Sequence, residues 1–113
     1  MNHDTNNCIF CKIINQEIPA QKIYEDEDFI AFNDIKPHMP VHFLIVPKKH
    51  IAMLADCQRD DNSHIMLLGK MMTLAPVIAS QQGCKDGFKV MINNGAGAGQ
   101  EVFHLHLHVM GNK

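Results

Sequence analysis

The sequence predicts an α+β domain: a five-stranded, mainly antiparallel sheet with one long helix and one or two short ones. Three observations predict it. Five short apolar or alternating stretches stand between turn signals, a single stretch carries a long apolar period of three to four residues, and most strand-like stretches follow one another without a helix between them. At 113 residues with 46% hydrophobic side chains, the chain supports one core, hence a single domain over 1–113. Its polar start, residues 1–7, reads as a flexible segment.

Each element has its own signal. In "CIFCKII", Ile9, Phe10, Ile13 and Ile14 fall at helical spacing and Pro19 follows soon after, which predicts a short helix and then a loop. "QKIYEDEDFIAFND" reads as two strands joined at the acidic turn Glu25 to Asp28, and "VHFLIVP" as a third that Pro47 closes, because proline donates nothing to a ladder. From Asp60 to Gln82, the residues Ile65, Leu68, Met72, Ala75 and Ile78 predict the long helix, capped within Asp60 to Ser63 and stopped at Gly83. Pro76 inside it predicts a kink or an early end. "GFKVMIN" and "VFHLHLHVM" supply the last two strands, joined by "NGAGAGQ".

A formal charge of -2 removes the electrostatic footprint of a nucleic-acid binder, so no nucleic-acid partner is expected. No uninterrupted apolar run approaches the roughly 20 residues of a bilayer span, and the start lacks a signal-peptide layout, so no membrane partner and a cytoplasmic location are expected. Cys8, Cys11, Cys57 and Cys84 then read as free thiols or metal ligands rather than disulfides.

"FHLHLHV" places His104, His106 and His108 on one face of a strand, with Leu105 and Leu107 turned into a core. A solvated polar face is one reading of that pattern, although Thr, Lys or Glu would serve it as well. A metal held by this strand alone is limited to two of the histidines, since the outer pair stands about 13 Å apart at ~3.4 Å per residue. Nucleophilic catalysis is the third reading: a central imidazole attacks phosphorus while a flanking one, with a pKa near 6.5, gives a proton to the leaving group. Gly95, Gly97 and Gly99 directly upstream permit a loop whose N–H groups cradle phosphate oxygens.

"HLHLHVM" resembles the signature of the histidine-triad family, and the resemblance extends over "CIFCKIINQEIPAQKIYEDEDFIAFNDIKPHMPVHFLIVPKKHI" and "GQEVFHLHLHVMG". Those stretches resemble the branch of purine nucleoside phosphoramidases. That resemblance implies a homodimer whose sheet continues across the two-fold axis, and hydrolysis at the α-phosphate of a purine nucleotide through a nucleotidyl-histidine intermediate, with no catalytic metal. By motif position, His106 is the nucleophile, His108 lies beside the phosphate, His104 supports the strand and His42 completes the cluster. Asp34 and Ile35 match ribose contacts. Ile9, Phe10, Ile13, Phe32 and Leu44 wall the base pocket, though residues of these types are also core formers.

Asn93, Gly99, Gln100 and Glu101 match positions around the phosphate. Many relatives carry Ser or Thr in place of Glu101, so its carboxylate is expected to turn toward a leaving-group amine. Relatives continue past the position of Gly111-Asn112-Lys113 with a tail that helps shape the leaving-group side, so the resemblance carries over the nucleotide half and not a leaving-group preference. Within the same resemblance, a non-enzymatic nucleotide-binding module and a dinucleoside polyphosphate hydrolase are the alternatives.

Cys8 and Cys11 form a C-x-x-C that suits a zinc half-site, a redox pair or simple packing. A redox pair wants a βαβ frame, and the chain offers none. Relatives with this cysteine pair bind a structural zinc with a histidine like His50 and the first histidine of the triad, here His104. A His104 that binds metal is no acid or base.

Overall fold

The computed structural model describes residues 7–113, so all but Asn7 of the expected N-terminal segment lies outside the described residues. Five strands form one antiparallel sheet in the order β1-β2-β3-β5-β4, with β1 at Lys22–Glu25, β2 at Phe29–Asn33, β3 at Val41–Pro47, β4 at Phe88–Met91 and β5 at Leu107–Gly111. Helix α1, Ile9–Ile14, covers one face; helix α2, Asn62–Gln81, covers the other.

The period of two along the central strands decides which face each side chain meets. Phe29 and Ala31 of β2, Val41, Phe43 and Ile45 of β3, and Leu107 and Val109 of β5 pack beneath α2. Ile30 and Phe32 of β2 and Leu44 and Val46 of β3 turn the other way, against Cys8 and Phe10. Every residue of β3 is buried because both its faces are covered. His42 alternates with the apolar residues that face α2, so it stands on the α1 side.

Helix α2 begins with Asp61 as its cap, whose carboxylate accepts from the N–H groups of Ser63 and His64, and ends before Gly83 at φ +97°. Two expectations about it are corrected. Pro76 does not end it: Pro76 and Met72, whose carbonyl loses its helical partner, both lie on the exposed side, where that carbonyl is not cut off from solvent. Its inner face is also rotated, since Met71, Ala75, Ile78 and Ala79 are buried while Ile65 and Met72 are about half exposed. At 20 residues and a mean hydropathy of 1.2 the helix has the length of a bilayer span. Met71, Ala75, Ile78 and Ala79 pack on the sheet with Leu67, Leu68 and Leu74 half-buried beside them, while Ile65, Met66, Met72 and Val77 are exposed.

The last strand is shorter than "VFHLHLHVM" suggests. Pairing with β3 starts at Leu107 opposite Ile45, so residues 102–106 run outside the ladder. The alternation nevertheless persists through that irregular stretch, with Leu105 buried among the α2-side core.

Candidate active site and metal knot

The three histidines of the triad do not share one environment. His104 is fully buried and His106 nearly so, both ahead of β5, whereas His108 is half-buried within it. A solvated polar face is therefore excluded for the first two.

His106 places Nδ1 2.7 Å from the main-chain oxygen of His104. A carbonyl only accepts, so the proton sits on Nδ1 and the Nε2 lone pair is free. Burial pushes the His106 pKa below its usual value, offset in part by that carbonyl and by Asp34. The ring edge of Phe10 meets His106 at 5.0 Å and 90°.

A hydrogen-bond relay lies beside it. The backbone N–H of His38 donates to Nδ1 of His42 at 3.0 Å, which leaves the His42 proton on Nε2. That Nε2 stands 3.0 Å from Nδ1 of His108, so His42 donates and the proton of neutral His108 sits on Nε2. The diagonal register of β3 and β5 brings the two rings together, since Leu44 pairs with His108 and His42 with Met110. Oδ2 of Asp34 lies 3.4 Å from His42 Nε2 and 3.9 Å from His108 Nδ1, while its Oδ1 accepts from the N–H of Lys36 at 2.9 Å.

Burial, with His106, His42 and His38 nearby, pushes His108 down to about 4, against the opposing pull of Asp34. Its expected pKa near 6.5 is corrected accordingly. Asp34, His42 and His108 have donor atoms within 4.8 Å of one another, as a metal site would. Coordination through His42 Nε2, however, would force a proton onto Nδ1, opposite the His38 N–H. The cluster is built as a relay.

The base-pocket residues divide. Phe10, Phe32 and Leu44 are buried together, Phe10 and Phe32 meeting edge-on at 5.4 Å, and Ile13 packs against them half-buried. Ile9 and Ile35 are exposed, Ile35 at 92%. In the glycine loop, Gly95 and Gly99 take φ of +86° and +85°, a backbone that favours glycine. The N–H groups of Gly95, Ala98, Gly99 and Gln100 are spent inside that loop, which narrows the expected phosphate cradle. Asn93 donates to the Ala98 carbonyl at 2.6 Å, and buried Gln100 donates to those of Ala52 and Val102. Both residues brace the loop. Glu101 is exposed. Two open hollows of about 340 Å³ lie elsewhere, one between β2 and α2 and one beside β4 and the chain end, and neither contains a histidine.

The second constellation joins distant parts of the chain. Cys8, Cys11, His50 and His104 present one donor atom each within 4.8 Å of one another. Nδ1 of His104 stands 3.3 Å from Cys8 Sγ, 3.5 Å from Cys11 Sγ and 3.2 Å from His50 Nδ1, and Cys11 Sγ lies 3.3 Å from that same His50 nitrogen. Bonds of about 2.0–2.3 Å around a tetrahedral zinc imply ligand separations of about 3.3–3.8 Å, so the set fits such an ion.

The tautomer agrees: His104 Nε2 donates to the Pro47 carbonyl at 2.7 Å, which leaves Nδ1 bare. Burial and the adjacent Cys8 push the Cys11 thiol up to about 12, and burial holds His104 near 4. A divalent cation reverses the thiol balance by favouring thiolate. Both ring nitrogens of His104 are thus engaged, Nδ1 by the knot and Nε2 by the Pro47 carbonyl.

Sequence reasoning missed the main-chain groups. The carbonyls of Pro47 and His104 and the N–H of His38 set three tautomers, and no residue type announces them. Only the restrained "KPHMPVH" turn, with two prolines, hinted that His38 returns to His42.

Comparison with known proteins agrees with this geometry. Residues 15–113 match the HIT domain. Protein HitA of Neisseria gonorrhoeae is 54% identical over 106 residues, 94% of this chain and 96% of that protein. A 14 kDa zinc-binding protein of Zea mays is 42% identical over 110 residues, 97% of this chain and 85% of the other. The crystal structure of a HIT family hydrolase from Legionella pneumophila Philadelphia 1 superposes with a TM-score of 0.85 at 44% identity, covering 93% of this chain and 92% of that one. A pinned central imidazole just ahead of the last strand of a five-stranded antiparallel sheet, in a sequence this close to these proteins, makes the chain a member of the histidine-triad, or HIT domain, family.

Proposed function

We propose that this protein is a homodimeric, cytoplasmic, single-domain nucleotidyl hydrolase that cleaves purine nucleoside 5′-phosphoramidates or related adenylated compounds at the α-phosphate. One observation carries the reading: the Nδ1–H of His106 is held on the His104 carbonyl at 2.7 Å, which leaves the Nε2 lone pair free to attack. Nε2 attacks phosphorus, the bond to the leaving nitrogen breaks, and the amine departs with a proton. Water then attacks the nucleotidyl-histidine, releasing the nucleoside monophosphate and restoring the imidazole.

His108 offers its Nε2–H to the phosphate, supported by the His42 relay. Both are neutral before binding; the charge of the arriving phosphate raises their proton affinity, so the complex takes up from solvent the proton that His108 then passes to the departing amine. Asp34, with Ile35, meets the ribose, and its carboxylate accepts from sugar hydroxyls. Phe10, Phe32, Leu44, Ile9 and Ile13 line the base side. Gly99, Asn93 and Gln100 shape the phosphate loop. Glu101, exposed above it, faces the leaving amine. Cys8, Cys11, His50 and His104 hold a structural zinc, as the name of the maize relative suggests, and no catalytic metal takes part.

The test is incubation of wild type and His106→Asn with adenosine 5′-phosphoramidate. Wild type releases AMP and forms a trappable nucleotidyl adduct; His106→Asn binds nucleotide yet loses at least about 10³-fold in turnover. Tight nucleotide binding without turnover by wild type would leave only a binding module. In the same assay Glu101→Ser slows release of amine leaving groups, and equal rates would remove Glu101 from that role.

A further inference from the structure

We infer that His104 is a positioning residue that couples the metal knot to the nucleophile, so that occupancy of the Cys8–Cys11–His50–His104 set governs the alignment of His106. His104 faces both ways. Its side chain supplies Nδ1 to the knot, and its main-chain oxygen holds the His106 proton at 2.7 Å.

The segment carrying it lies outside the hydrogen-bond ladder of the sheet. Residues 102–106 precede the ladder of β5. The ties described for 104 and 105 are the Leu105 N–H to the Ile51 carbonyl at 2.6 Å, the His104 ring to the Pro47 carbonyl at 2.7 Å, and the ligand set itself. All three end on the stretch 47–51 or on the knot, and His50 belongs to both. With the ligand set gone, those two hydrogen bonds and the packing of Leu105 in the core hold the carbonyl that aims the nucleophile.

A second route runs through α1. This helix has six residues, too few to persist without tertiary support. Cys8 is its N-cap, accepting from the Cys11 N–H, and Cys11 lies one turn on. Between them Phe10 packs on His104 at 5.9 Å and on His106 at 5.0 Å. The two sulfurs that tie α1 to His50 and His104 therefore also seat the ring that walls the nucleophile. Carbonyl and ring respond together.

The kinetic part of this inference rests on His106 being the nucleophile; the spectroscopic part does not. Untagged protein loaded with zinc is ring-¹⁵N labelled at histidine, stripped with a chelator, and reloaded. In the loaded protein His106 gives a single Nδ1–H tautomer. Stripping moves that signal toward tautomer averaging and lowers kcat on adenosine 5′-phosphoramidate about tenfold or more, with less change in KM, and zinc restores both.

An unchanged His106 signal and kcat in stripped protein whose melting temperature falls would overturn the coupling and reduce the knot to a staple. If stripping unfolds the chain, His50→Gln, folded by circular dichroism, takes its place. There a wild-type His106 signal overturns the inference and an averaged one supports it. A zinc-dependent His106 signal in protein that leaves the phosphoramidate intact supports the coupling and removes the hydrolase reading.

Discussion

His108 carries the sharpest consequence at the scale of single residues. Its proton affinity is set by burial first, then by His106, His42 and His38, with Asp34 opposing. A histidine whose pKa falls from 6.5 to about 4 stays neutral as pH drops through 6.5 and takes a proton only near 4. Protonation at Nδ1 would break the bond from His42. The relay therefore survives mild acid, and kcat/KM, which reports the free enzyme, keeps its acidic limb well below 6.5. A limb at 6.5 or above would show that solvent reaches His108 far more freely than its packing allows. This residue was legible as functional from its place in the triad, but its proton affinity was not, because three of the four groups that shift it come from elsewhere in the chain.

At the scale of elements, the end of β5 depends on a close approach that a sequence does not announce. A Cβ on Gly111 would lie 2.8 Å from Cys84 Sγ and 3.1 Å from the Gly87 carbonyl. Gly111→Ala is expected to destabilise the fold by about 1–3 kcal/mol, lowering the thermal midpoint. Cys84→Ala in the same chain recovers only part of that loss, because the Gly87 carbonyl remains in the way. Full recovery would place the whole clash on the sulfur. The strands were readable because β2 and β3 are apolar runs between clear turns. The start of β5 was misread: alternation continues through residues 102–106, yet side-chain periodicity carries no information on whether a neighbouring backbone is there to pair.

At the scale of the whole molecule, β4 is an edge strand in which all four residues are exposed, Phe88, Val90 and Met91 at 39%, 38% and 42%. Bare edges with apolar side chains are ordinarily covered. In the proposed homodimer, pairing of β4 with its copy in a second protomer would cover this one and continue the sheet across a two-fold axis. Val90→Lys is expected to halve the mass measured by analytical ultracentrifugation while leaving the circular dichroism unchanged. A wild type that sediments as a monomer would end the proposal.

The sequence by itself determined the fold class, the family and the residue types of both sites, since periodicity, turn chemistry and the H-x-H-x-H spacing are local properties of the chain. Tertiary structure decided which partners each histidine meets. His104 turns to two sulfurs 96 and 93 residues away along the chain, and His42 reaches His108 across 66. Those long loop closures bring carbonyls, amides and rings together, and it is these contacts that fix a tautomer and place a proton on one nitrogen rather than the other.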